Sequence, residues 1–182
     1  VISFQFSLHA QLLTWSPQFP ADNSSITITV DATKGNKGLQ GFSGTVYMHL
    51  GVITNLSATP TAWRYVPTTW GSTTAPTATP AGTNKWAFTI NNPRAYFNSA
   101  AGGVPAGETI LRIALIFRNA DGSISQRNED GSDMYVPIYP ASSNSIVFTT
   151  PALIPYYNLT YEAVNVTLGQ ALPLAAVASN TT

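Results

Sequence analysis

The chain has 182 residues, eight of them basic and eight acidic, and no cysteine. A net charge of zero argues against a nucleic-acid or membrane-surface partner held by charge, and the missing cysteines exclude disulfides, thiol catalysis and thiolate-bound metals. Only 9% of residues are charged, so the polar surface must come from Ser, Thr, Asn and Gln, as in extracellular β-proteins. Thirteen Pro and thirteen Gly punctuate the apolar runs, the pattern of an all-β chain rich in turns. No apolar run is long enough to cross a bilayer.

Residues 1–11, VISFQFSLHAQ, admit two readings. They look like the apolar end of a secretory signal peptide cut near Gln11. They also alternate, with Ile2, Phe4, Phe6 and Leu8 on one face, as a strand would. Residues 12–20, LLTWSPQFP, predict an entry strand closed by prolines. Ile26, Ile28 and Val30 alternate with Thr27, Thr29 and Asp31, a half-buried strand. Residues 34–44 hold four glycines and read as a loop. In residues 45–52, TVYMHLGV, Val46, Met48, Leu50 and Val52 face one way and Tyr47 and His49 the other.

Residues 63–66, WRYV, are short and aromatic, and residues 68–84 lack an apolar period and read as a loop. Trp86, Phe88 and Ile90 form another alternating strand, ended by Asn91-Asn92-Pro93. Residues 94–97 fit either a single helical turn or a short strand. Residues 110–118, ILRIALIFR, are apolar on both faces, so they predict a central strand. Period two puts Leu111, Ile113, Leu115 and Phe117 on one side and Ile110, Arg112, Ala114, Ile116 and Arg118 on the other. After a long polar connection, residues 133–139 return as a strand with Met134, Val136 and Ile138 inward and Tyr135 and Tyr139 on a face open to water.

After residue 139 the character changes. Residues 140–144 read as a linker, and residues 145–149, 158–166 and 172–177 as strands. Three strands do not close a second sandwich. The tail is read as the opening of a neighbouring module, the alternative being extra strands on the first. The expected fold is an all-β, immunoglobulin-like antiparallel β-sandwich of about seven strands over residues 12–141, with residues 142–182 as linker and the opening strands of a further β-module.

Catalytic signals are weak. There are two histidines and no Gly-x-Ser-x-Gly elbow. Four of the eight acids, Asp121, Glu129, Asp130 and Asp133, crowd one hairpin loop instead of facing each other across a cleft. That cluster has the oxygen chemistry calcium takes, without EF-hand spacing, and the plainer reading is a solvated loop. No other cofactor is implied, and no active site is expected. The aromatics are more informative. Tyr47 and His49 share a strand face, and Trp63, Tyr65 and Trp70 follow within TAWRYVPTTWG. Flat rings beside hydrogen-bonding groups hold sugars, because the C–H face of a pyranose packs on the ring while polar atoms fix orientation. Trp86 and Trp15 fit core positions better.

The segments VYMHLGVIT, WRYVPTTWG, NKWAFTINNPRAYFNSAAGGVPAGETILRIALIFRNADG and DMYVPIYP, in that order, resemble an immunoglobulin-like module of secreted alpha-amylase-superfamily proteins from Gram-negative polysaccharide degraders. The resemblance covers about residues 12–139. In that family the module follows the signal peptide, and a second β-module and a glycosidase barrel commonly come after it. It implies a secreted or cell-surface, non-catalytic accessory domain that binds starch-like α-glucan, with downstream domains of the same chain as partners. Tyr47, His49, Trp63, Tyr65 and Trp70 are the expected carbohydrate-binding residues, similar to starch-binding modules in general. The barrel is absent from these residues, so its activity does not carry over. The competing expectation, of a different class, is a structural spacer or assembly subunit whose Ile2–Leu8 strand adds to a sheet edge of another copy.

Overall fold

The computed structural model describes residues 11–140 and 143–179, so both readings of residues 1–10 lie outside the described residues. Two antiparallel sheets face each other. The first is built from β1 (Leu13–Ser16), β2 (Ser25–Asp31), β5 (Lys85–Asn91) and β4 (Thr79–Gly82), in that spatial order. The second joins β3 (Tyr47–Thr54) and β8 (Met134–Pro137) to opposite edges of β6 (Ile110–Arg118), with the two-residue β7 (Ser125–Gln126) at the far end of β6. The orders β1-β2-β5-β4 and β3-β6-β8 are the A-B-E-D and C-F-G sheets of the constant-type immunoglobulin arrangement.

The core is the inward half of each alternating strand. Ile26, Ile28 and Val30 from β2, Trp86 and Ile90 from β5, Met48, Leu50 and Val52 from β3, and Ile113, Leu115 and Phe117 from β6 form one buried cluster. The outward Thr27 and Thr89 pair across strands through their hydroxyls at 2.9 Å. A helical turn, α1 (Pro93–Tyr96), and a 3-10 turn at Ser99–Ala101 carry the chain from β5 toward β6. Asn92, at φ 51°, caps α1 by accepting from the Ala95 N–H, and Pro93 follows at its first position, which decides for the helical turn at 94–97. Arg94 staples this crossover to the sandwich: its Nε reaches Asp22 at 2.8 Å, and its other nitrogens reach the carbonyls of Val104, Pro105 and Glu108.

Three expectations are corrected. First, residues 68–84 are not all loop. β4 pairs there with β5, yet all four of its residues are exposed and one is Pro80, so it carries no apolar signal. Second, a β-bulge sets Ile53 against Arg112 and Thr54 against Ile110, leaving Leu111 as the extra residue. Ile110 therefore returns to the core, and Leu111 is only half-buried. Third, Tyr135 does not face water. It is 2% exposed because Trp63 and Tyr157 cover it.

The tail begins against the sandwich and then leaves it. Tyr135 N–H donates to the Pro155 carbonyl at 2.9 Å, and Arg112 Nε donates to the Tyr157 carbonyl at 2.7 Å while its guanidinium lies over the Tyr157 ring. β9 (Ile146–Thr150) pairs with β12 (Ala175–Ala178), and β10 (Leu153–Ile154) with β11 (Thr160–Tyr161). Along residues 158–166, the predicted strand is realised only at β11.

Glu108 fastens the end of β3 to the segment that follows it. Its carboxylate accepts from Thr54 Oγ1 at 2.5 Å and from the Tyr65 hydroxyl at 2.6 Å, and Arg64 Nε lies 2.8 Å from it. Burial alone would raise its pKa, but these donors and the Arg64 charge outweigh it and hold the carboxyl below the ordinary value. Glu108→Ala leaves the Thr54 and Tyr65 hydroxyls without an acceptor, so stability should fall by about 1–3 kcal/mol. Urea unfolding would measure it, and an unchanged midpoint would remove Glu108 from this role.

Candidate functional site

The outer face of the β3–β6–β8 sheet is the best candidate. Tyr47, His49 and Gly51 of β3 and Ala114, Ile116 and Arg118 of β6 point away from the core, in registers that set Tyr47 opposite Arg118, His49 opposite Ile116 and Gly51 opposite Ala114. The chain leaving β3 doubles back along its free edge. Val52 and Arg64 exchange backbone hydrogen bonds, and further on Met48 N–H donates to Pro76 and Ala78 N–H to Val46. Between these anchors the chain swings over the outer face to the β6–β7 turn, where Ser72 O accepts from Arg118 and Gly71 approaches the Asp121 carbonyl.

This crossing lays two indoles on the face. Trp63 sits directly on Gly51. A Cβ there would lie 2.9 Å from the indole and 3.1 Å from Val66, so the strand needs glycine for the ring to lie down. Beneath it are Ile53, Ala114 and Tyr135. Burial raises the Tyr135 hydroxyl's pKa; the Trp63 indole N–H turns toward that hydroxyl and eases the rise without reaching hydrogen-bond geometry. His49 stacks on Trp63 with ring centres 5.3 Å apart and planes at 28°, and meets Trp70 edge-on at 5.1 Å. Trp70 is 43% exposed. The guanidiniums of Arg118 and Arg127 each lie 5.6 Å from its ring centre.

Arg118 is fully buried. Its nitrogens donate to the carbonyls of Asn119 and Ala120, both at 2.8 Å, and of Ser72 at 2.6 Å, and its plane faces the rings of Tyr47 and Trp70. Burial pulls its pKa down, opposed by Tyr47 and Asp121. Arg127 pairs with Asp133 at the rim of Trp70.

Tyr47, His49, Trp63 and Trp70 therefore gather on one surface, and Tyr65 does not join them. Tyr65 sits in the left-handed backbone region at φ 52°, an unusual place for a bulky residue, packs against the sandwich core and gives its hydroxyl to Glu108. The acids of the hairpin loop, weighed as calcium ligands against the plainer reading of a solvated loop, go to separate partners. Asp121 and Asp130 each accept from the backbone and hydroxyl of the serine two residues on, Ser123 and Ser132. Asp133 holds Arg127, and Glu129 is exposed. Among the described residues no three His, Asp or Glu side chains come together. Sequence reading missed Arg118, Arg127, Gly51 and Gly122 as parts of the site. The available signal was Arg118 itself, a cation ending an apolar strand.

Compared with known proteins, the chain matches no family model and no curated sequence. The fold places it among all-β sandwich proteins.

Two expectations follow from this geometry. Gly122, at φ 78°, lies so close to Trp70 that a Cβ would stand 2.4 Å from Nε1. Gly122→Ala should cost about 1–3 kcal/mol and release Trp70, read as a red shift and increased quenching of its fluorescence; unchanged emission would show that the glycine does not hold the ring. Burial, then the charges of Arg118 and Arg127, hold the His49 imidazole below its ordinary pKa, against the pull of Asp133. The unfolded chain therefore takes up this proton first, so stability is full above about pH 6.5 and falls as the pH drops from there through the folded-state value. His49→Gln should remove that part of the acid sensitivity, checked by urea titrations at about pH 7.5 and about pH 5.

Proposed function

We propose that this chain is a non-catalytic accessory module of a secreted or surface-displayed glycan-degrading protein, and that it binds α-glucan on the Trp70–His49–Trp63 surface. The observation that carries the reading is an indole exposed to 43% yet held by His49 in an edge-on contact, by Gly122 beside its Nε1 and by the guanidiniums of Arg118 and Arg127 over its ring. A ring already fixed in place loses little freedom when a pyranose stacks on it. The Arg127–Asp133 pair beside it offers donors and acceptors to sugar hydroxyls. Zero net charge suits a neutral polymer. The resemblance to a module of alpha-amylase-superfamily proteins supports the same substrate class.

Trp70→Ala should weaken retention in native gels containing amylopectin by about tenfold or more, as expected for a central stacking residue. The exposed Leu56 provides a control, and Leu56→Ala should migrate like the parent. Thermal melts of each variant separate lost binding from lost fold. Retention of folded Trp70→Ala equal to that of the parent would refute the assignment.

A second reading, as a spacer or assembly subunit, draws support from the β9–β12 ribbon, which exposes Ile146 to 73% along with Phe148 and Val177. That surface favours contact with another folded body. Light scattering over a range of concentrations tests its self-associating form.

A further inference from the structure

A cleft of about 200 Å³ opens where the tail meets the edge of the first sheet, away from Trp70. Trp15 of β1 forms one wall and Phe148 of β9 another. The buried Val147 and Leu153 contribute apolar surface. Gln11, Thr14, Gln18 and Thr149 bring amides and hydroxyls to the lining, and among the described residues no charged side chain lines it. The Trp15 ring is fixed by its own N–H, which donates to the Gln18 carbonyl at 3.2 Å, and Phe148 is braced edge-on by Tyr161 at 5.7 Å.

We infer that this cleft is a second α-glucan subsite, seating one sugar unit between Trp15 and Phe148. The chemistry of the lining selects the ligand. An anion or cation would find no counter-charge, and a purely apolar ligand would strand four polar side chains. A neutral sugar presents C–H faces to the two rings and hydroxyls that both donate and accept, matching amide and hydroxyl partners that do the same. The choice of glucan rests on the function proposed above, but the cleft and the Trp70 surface share no residue.

The test is an ¹⁵N-resolved NMR titration of the full chain with maltoheptaose, following the indole N–H signals. Trp15 reports the cleft, Trp70 the outer face and the buried Trp86 serves as control. Saturable movement of Trp15 is expected, and Phe148→Ala should weaken the affinity read from it by about three- to tenfold. If Trp70 moves and Trp15 does not, the second subsite is overturned and the proposed function stands. If Trp15 moves and Trp70 does not, the cleft stands and the outer-face assignment falls. If neither moves, both fall.

Discussion

A buried guanidinium holds the outer face together. Arg118 closes β6, the central strand of the second sheet, and turns away from the core into a space roofed by the chain's own crossing segment. Taking a cation out of water costs several kcal/mol. No carboxylate bonds to it. Three carbonyls and two aromatic faces take the place of water, and charge-assisted hydrogen bonds contribute about 1.5–3 kcal/mol each, which offsets part of the desolvation; the rest shows in a lowered pKa and a buried Nε without a partner. Those carbonyls come from two segments far apart in sequence, Ser72 on the crossing loop and Asn119–Ala120 on the β6–β7 turn. A neutral side chain would leave them unpaired, so the crossing loop, the turn and Trp70 are positioned by one group.

The hairpin acids fit the same logic. Asp121 and Asp130 each close a short turn onto a serine, which stiffens the loop that presents Gly122 to Trp70. Asp133 restrains Arg127, which then stands over the same indole. A cluster that offered oxygen chemistry in the sequence resolves into three separate local contacts and one exposed side chain, Glu129. One carboxylate oxygen each of Asp121, Asp130 and Asp133 accepts from a neighbouring donor, and among the described residues no three acids come together.

The alternation in β2, β3, β5 and β6 was legible because period two is a direct record of which face is buried, and it placed Tyr47 and His49 together on the correct outer side. What escaped it follows from interactions that leave no periodic trace. β4 is held by ladder bonds and by the Thr79 hydroxyl donating to the Ala87 carbonyl, not by apolar burial, so its TPAG sequence has no reason to be apolar. The bulge at Leu111 shifts phase by one residue, which no alternation count detects unless the partner strand is known. Tyr135 looked wet because its own strand has a polar-seeming face; its cover comes from Trp63 and Tyr157, more than twenty residues away on either side. Tyr65 sat in the same aromatic run as Trp63 and Trp70, yet a positive φ and the Glu108 carboxylate draw it to the other side.

The same contrast explains why the outer face differs from a core that happens to be open. In the core, indole area is buried against aliphatic neighbours, as at Trp86. On the outer face the rings meet glycine, imidazole and guanidinium instead. Gly51 and Gly122 lower the sheet and the turn so that the indoles approach closely, and the arginines hold Trp70 by charge and not by enclosing it. Enclosure would have hidden the ring; the glycine, the imidazole and the two guanidiniums restrain it and still leave 43% of its surface exposed. Rigidity with exposure is the combination that lowers the entropic cost of association, and it arises here from one glycine, one imidazole and two cations around one indole.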